Sequence, residues 1–180
     1  MTQNATPSGP PGRPRSSGPA GPPGPTAPAG PISVGYEFPA ITVEVTRAMI
    51  RRYAEASYDF NPLHLDEGWM AQADFGGTRF AGIIAHGLMI YSFATRMITD
   101  VIYPLGGWHE RAEMRFKAPV RPGDTITVSG RITHVRHEGD WILYAATVAA
   151  TRHDGVIAQT GDANGRIPVA GAAPLRAFMR

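Results

Sequence analysis

His86-Gly87-Leu88-Met89-Ile90-Tyr91-Ser92-Phe93-Ala94-Thr95-Arg96-Met97-Ile98-Thr99-Asp100-Val101-Ile102 contains no proline, and no glycine after its second residue. Leu88, Met89, Ile90, Tyr91, Phe93, Met97, Ile98, Val101 and Ile102 leave one narrow polar stripe, Ser92, Arg96 and Thr99/Asp100, at i, i+4 and i+7/i+8. A helix that is apolar on nearly every side has to be buried on nearly every side. Pro104, Gly106 and Gly107 stop it.

Toward the C-terminus the chain reads as strand. Trp108 to Val120, Asp124 to Arg136, Trp141 to Thr151 and Val156 to Val169 are rich in β-branched and aromatic residues. They are separated by Arg121-Pro122-Gly123-Asp124, Glu138-Gly139-Asp140 and His153-Asp154-Gly155, gaps that suit hairpins. The expected fold is α+β, a single domain in which one antiparallel sheet wraps around one long buried helix.

Toward the N-terminus, Ile41-Thr42-Val43-Glu44-Val45 alternates as a half-buried strand does. Thr46 then stands where an N-cap belongs, and Met49, Ile50, Tyr53 and Ala54 share one face of a short amphipathic helix. Pro62 drives Asn61 out of the helical region, so this helix is expected to end by Asp59 and the chain to run through an extended turn to His64. Asp66 caps a second short helix, Glu67 to Asp74, with Trp69 and Met70 expected inside. Phe75-Gly76-Gly77-Thr78-Arg79-Phe80 reads as a mobile loop with two aromatics, a candidate lid.

At 180 residues and 43% hydrophobic, the chain has room for one domain with a useful core. It has no cysteine, which excludes disulfides, thiolate metal sites and thiol nucleophiles. Residues 1–31 hold ten prolines and six glycines, and this tail is expected to be disordered. Glycine recurs every third position at Gly9 and Gly12 and at Gly18, Gly21 and Gly24, but Arg15 and Ala27 break a collagen register. The tail's only charges are Arg13 and Arg15, so the net charge of +2 belongs to it and the rest of the chain is neutral. A neutral body argues against a nucleic-acid partner. The absence of a signal-peptide layout and of a long apolar run points to a soluble, cytoplasmic protein with no membrane contact. The expected organisation is a tail over 1–31, a domain over 32–170 and a C-terminal extension over 171–180.

The candidate chemistry lies in Tyr58-Asp59-Phe60-Asn61-Pro62-Leu63-His64-Leu65-Asp66 and in Ala85-His86-Gly87-Leu88. Asp59 and His64 are wrongly spaced for one face of a continuous helix, but the turn at Pro62 lets them meet. A carboxylate and an imidazole with ordinary pKa values of about 3.9 and about 6.5 form a complementary pair for activating water and returning its proton near neutral pH. The plainer alternative is that Asp59 caps a turn and His64 is a satisfied core histidine. Gly87, at the helix start, offers a free N–H at a positive helix end, suited to an enolate-like oxygen; alternatively it is small for packing only. His64, Asp66 and His86 can be drawn as a metal site, which ranks below the acid/base reading. His109, His134, His137 and His153 read as surface residues. Arg115, Lys117 and Arg121 read as a wet strand face, with phosphate contacts as the alternative. The stripe through Ser92, Thr95 and Arg96 needs partners, from either a subunit interface or a substrate tunnel.

Asp59-Phe60-Asn61-Pro62-Leu63-His64-Leu65-Asp66, Ile84-Ala85-His86-Gly87-Leu88 and Phe116-Lys117-Ala118-Pro119-Val120-Arg121-Pro122-Gly123-Asp124 together resemble the MaoC-like, (R)-specific enoyl-CoA hydratases of the single hotdog fold. The resemblance spans most of residues 36–168. It implies that Asp59 and His64 hold one water and add it, or remove it, syn across the Cα–Cβ bond of an acyl thioester, with no metal or redox cofactor. It implies further that the Gly87 N–H binds the thioester oxygen, that Asn61 holds the turn, and that Asn61, His86, Ser92 and Thr95 border the substrate. The implied partners are acyl-CoA, or an acyl carrier protein, and a second copy of the chain joined edge to edge near the site. The loop between Asp66 and His86 is longer than in the compact hydratases, with Phe75 to Gly82 as the extra material. A dehydratase of carrier-protein-bound intermediates, a non-catalytic acyl-binding subunit and a thioesterase are the alternatives.

Overall fold

The computed structural model describes residues 32–169; the expected tail and C-terminal extension lie outside the described residues. Its elements run β1 (Ile41–Glu44), α1 (Arg47–Ser57), α2 (Pro62–Leu65), α3 (Glu67–Gln72), α4 (Gly87–Ile102), a 3-10 turn (Tyr103–Leu105), β2 (Trp108–Phe116), β3 (Thr125–Glu138), β4 (Trp141–Arg152) and β5 (Ile157–Pro168). The five strands form one sheet in the order β1-β3-β4-β5-β2, and every pairing is antiparallel. Register shifts at His109/Arg111, Ile132/His134 and Ala150/Thr151 increase the local twist and help the sheet curl.

The curl encloses α4. Met89, Ile90, Ala94, Met97, Ile98, Val101 and Ile102 are buried against Val128, Ile132, Tyr144, Ala146 and Ala163 of the sheet. Small residues at the contact let the helix sit close: a Cβ on Gly130 would come within 2.7 Å of Met97 Cε. The polar stripe finds its partners within the helix itself. Arg96 pairs with Asp100 at 3.3 Å, while the Ser92, Thr95 and Thr99 hydroxyls donate to carbonyls three or four residues back.

Thr46 caps α1 by accepting from the Met49 N–H, and Ile50 and Ala54 are its buried residues. Three local expectations need correction. The segment from Pro62 is a helical turn, because Asn61 Oδ1 accepts from the Leu63 N–H and proline at the first helical position supplies the right φ. The helix capped by Asp66 ends at Gln72, and Trp69 is 41% exposed because its ring turns toward Phe75 and away from the core that holds Met70. The gap at Arg121-Pro122-Gly123-Asp124 is a crossover and not a hairpin, because β2 pairs with β5 at the far edge of the sheet. In the loop before α4, paired bonds join Phe75 and Thr78.

Ile98 is 1% exposed at the centre of this packing. Ile98→Ala is expected to lower unfolding free energy by about 2–5 kcal/mol, measured by urea denaturation; a loss under about 1 kcal/mol would show that α4 does not carry the core.

Candidate active site

The candidate residues come from three short pieces of backbone that are tied to one another. α1 ends on Tyr58, whose φ of 59° is the only positive value among non-glycine described residues, and this left-handed step swings Asp59 off the helix axis. Asn61 then starts α2, which carries His64 into the interior at 7% exposure. The segment before α4 binds to both neighbours: the Ile84 N–H donates to the Leu63 carbonyl at 3.2 Å and the Ala85 N–H to the Val120 carbonyl at 2.7 Å.

His64 Nδ1 lies 2.8 Å from the Ile84 carbonyl. A carbonyl only accepts, so Nδ1 carries the proton and Nε2 presents a lone pair. That lone pair faces Asp59 Oδ2 at 4.0 Å, too far for a direct hydrogen bond and the right span for one shared water. Asp59 Oδ1 accepts from the Asn61 N–H at 3.3 Å, which leaves Oδ2 for the shared position. Burial pushes the His64 imidazole below the ordinary value of 6.5, with His86 reinforcing the shift and the Ile84 carbonyl and Asp59 opposing it. It is therefore neutral, as an acceptor must be, at neutral pH.

Gly87 opens α4, and its N–H belongs to the first turn, where no carbonyl precedes it in the helix. Gln159, 3% exposed on β5, holds the other side of the same residue by donating from Nε2 to the Gly87 carbonyl at 2.8 Å. A Cβ at position 87 would lie 2.7 Å from the Phe116 ring, so the packing reading of this glycine also has a physical basis.

These groups line one cavity of about 730 Å³. Asp59, His64, His86 and Gly87 share it with Leu63, Ile84, Leu88, Phe116 and Val120, and with Thr78 and Phe80 from the loop. Lys117, the chain's single lysine, lines it too. The loop thus reaches the cavity, and Phe80 is backed by Phe75, which is backed in turn by Trp69. A separate hollow of about 690 Å³ crosses the sheet from Arg115 on β2 to Arg131 on β3 and includes none of Asp59, His64, His86 and Gly87.

Not every expected site residue lines this cavity. Ser92 and Thr95 lie farther along α4, outside the cavity lining, with hydroxyls turned to the Met89 and Tyr91 carbonyls. Asn61 holds the α2 turn and does not line the cavity. His86 is 2% exposed, packed between the rings of Tyr53 and His64. Asp66 is spent on the Trp69 N–H, and the trio that converges within 4.8 Å is Asp59, His64 and His86. That trio makes a poor metal cage, since His86 Nε2 sits 3.0 Å from the Asp59 carbonyl and must carry its proton there. His109 is not a surface residue, as both its ring nitrogens are buried; His134, His137 and His153 are exposed. Arg115 is exposed and contributes to the separate hollow.

Sequence reasoning missed the Ile84 carbonyl and the Gln159 amide. A backbone acceptor has no residue signature, and a glutamine inside a strand gives no sign of what it will meet across the fold.

The MaoC like domain family model matches residues 32–153, and the chain belongs to that family. It is 30% identical over 121 residues to the (R)-specific enoyl-CoA hydratase of Aeromonas caviae, covering 67% of this chain and 85% of that protein. It is 28% identical over 120 residues to the mitochondrial 3-hydroxyacyl-[acyl-carrier-protein] dehydratase of Arabidopsis thaliana, covering 66% and 68%. The solved structure of the (R)-hydratase from A. caviae involved in PHA biosynthesis matches with a TM-score of 0.68 at 27% identity, over 78% of this chain and all of that one. The sheet and its enclosed helix are thus the hotdog fold. No described helix is long and apolar enough to cross a membrane.

Folding lowers the proton affinity of His64, so the unfolded chain takes up this proton more readily and stability falls as pH drops from 6.5 toward the folded value. An NMR titration of the His64 ring is expected to give a midpoint below 6.5, and a midpoint above it would contradict this electrostatic account.

Proposed function

We propose that this chain is a hydro-lyase that adds water across the Cα–Cβ double bond of a trans-2-enoyl thioester and removes it from the (R)-3-hydroxyacyl thioester. The observation that carries the reading is the 4.0 Å gap between His64 Nε2 and Asp59 Oδ2, inside a cavity that Gly87 also lines. Two acceptors at that separation hold both O–H bonds of one water and aim its lone pair outward. The oxygen bonds to Cβ, its proton passes to Asp59, and the electron pair of the double bond moves toward the thioester oxygen. The Gly87 N–H stabilises that oxygen, an effect whose loss typically costs on the order of 10²–10³ in rate. Asp59 then returns the proton to Cα on the face from which water came. Water has added, and no group is left altered.

The apolar cavity suits an acyl chain, and Lys117 suits the phosphate of a pantetheine carrier. Coenzyme A is the carrier we favour, in line with the A. caviae relative. A carrier-protein thioester is the second reading, supported by the similarity to the A. thaliana dehydratase. We further propose a homodimer built on β2, which among the described residues has a neighbour on one side only and ends on the exposed Phe116.

Asp59→Asn keeps shape and removes the base, and it is expected to lower kcat for hydration of crotonyl-CoA, or of a longer enoyl-CoA, by about 10²–10⁴-fold. Parallel carrier-protein thioesters identify the carrier. Retained activity in the variant overturns the mechanism. Thioester binding by the wild-type protein without turnover would leave an acyl-binding subunit, and release of free thiol would indicate a thioesterase.

A further inference from the structure

We infer that His86 is a positioning residue that aligns Asp59 with His64, an inference that rests on the proposed water addition. One residue touches all three parts of the site. Its Nε2–H donates to the Asp59 main-chain carbonyl at 3.0 Å. Its face stacks on His64, with centroids 3.7 Å apart and planes 26° from parallel. Its backbone is the cap residue immediately before Gly87.

The reason for an imidazole here lies in what it costs. His86 is 2% exposed, and its Nδ1 is buried without a hydrogen-bond partner. Phenylalanine would occupy the same slot between Tyr53 and His64 without stranding a polar atom. What phenylalanine cannot supply is the N–H that holds the Asp59 carbonyl. Asp59 sits on a turn whose side chain is half exposed, just after the left-handed Tyr58, so that bond is the turn's link to the buried ring stack. If it is lost, the carboxylate drifts from the lone pair that it must face across a single water.

The test is His86→Phe in the full-length chain, with hydration followed at the enoyl absorbance. A displacement of the order of an ångström in a reacting group costs about 10² in rate, so kcat should fall by about that factor with KM within about threefold of wild type. The melting temperature should change little, because removing the unpaired Nδ1 offsets leaving the Asp59 carbonyl without its donor. A kcat within threefold of wild type overturns the inference, and so does a kcat loss accompanied by a raised KM or a lowered melting temperature. Should His86→Phe not fold, His86→Gln replaces the Nε2–H donor at similar reach. It is expected to keep kcat within about tenfold of wild type, and a loss as deep as that of Asp59→Asn would overturn the inference. Activity surviving in Asp59→Asn would sink the proposed function itself, whereas collapse there beside a fully active His86→Phe would sink this inference alone.

Discussion

A sixteen-residue helix with apolar side chains on nearly every face can be stable only inside something, and the sheet around α4 exists to be that something. The helix body is buried, but its N-terminus opens on the cavity, with Gly87 partly covered and Leu88 58% exposed, and its first-turn N–H groups have no carbonyl before them in the helix. The chain brings other pieces of itself to that end. The Gln159 amide takes the Gly87 carbonyl, the Val120 carbonyl takes the Ala85 N–H, and α2 docks through the bonds among Leu63, His64 and Ile84. The same constraint that builds the core therefore builds a polar, partly desolvated corner beside it.

In that corner each group has a distinct electrostatic task. The Ile84 carbonyl selects the tautomer of His64, and burial keeps its ring neutral. Asp59 stays at the rim with its side chain half exposed, so its charge remains affordable while one oxygen faces the ring. In the proposed reaction the carboxylate takes the water's proton and returns it, while the neutral imidazole holds the second O–H. Buried deeper, Asp59 would lose its charge; exposed further, His64 would take up a proton more readily.

Much of this was legible in the residues. The even greasiness of Leu88 to Ile102 and the turn residues at Gly139-Asp140 and Asp154-Gly155 specify a helix and the β3-β4-β5 hairpins, because both signals are local; the turn at Pro122-Gly123 does not reveal that β2 crosses to the far edge to pair with β5. Asp59, His64 and Gly87 could be picked out because Pro62 and the helix start fix their backbone. Side-chain direction was harder. Trp69 looked like a core residue by helical spacing, yet its neighbours proved to be Phe75 and the loop; His109 looked exposed on a strand, yet both its nitrogens are covered. Ser92 and Thr95 satisfy themselves on their own helix, an option always open to hydroxyls and invisible in spacing. Contacts between distant segments, such as that from His86 to the Asp59 carbonyl, depend on how the pieces dock.

The central claim is that one water, held on one side of the substrate, supplies both the hydroxyl and the new hydrogen. Hydration of an enoyl-CoA in deuterium oxide, with the product's Cα and Cβ configurations assigned by NMR, reads this out directly. The account predicts a single diastereomer with deuterium and hydroxyl on the same face; an anti product, or a mixture of the two, would contradict it.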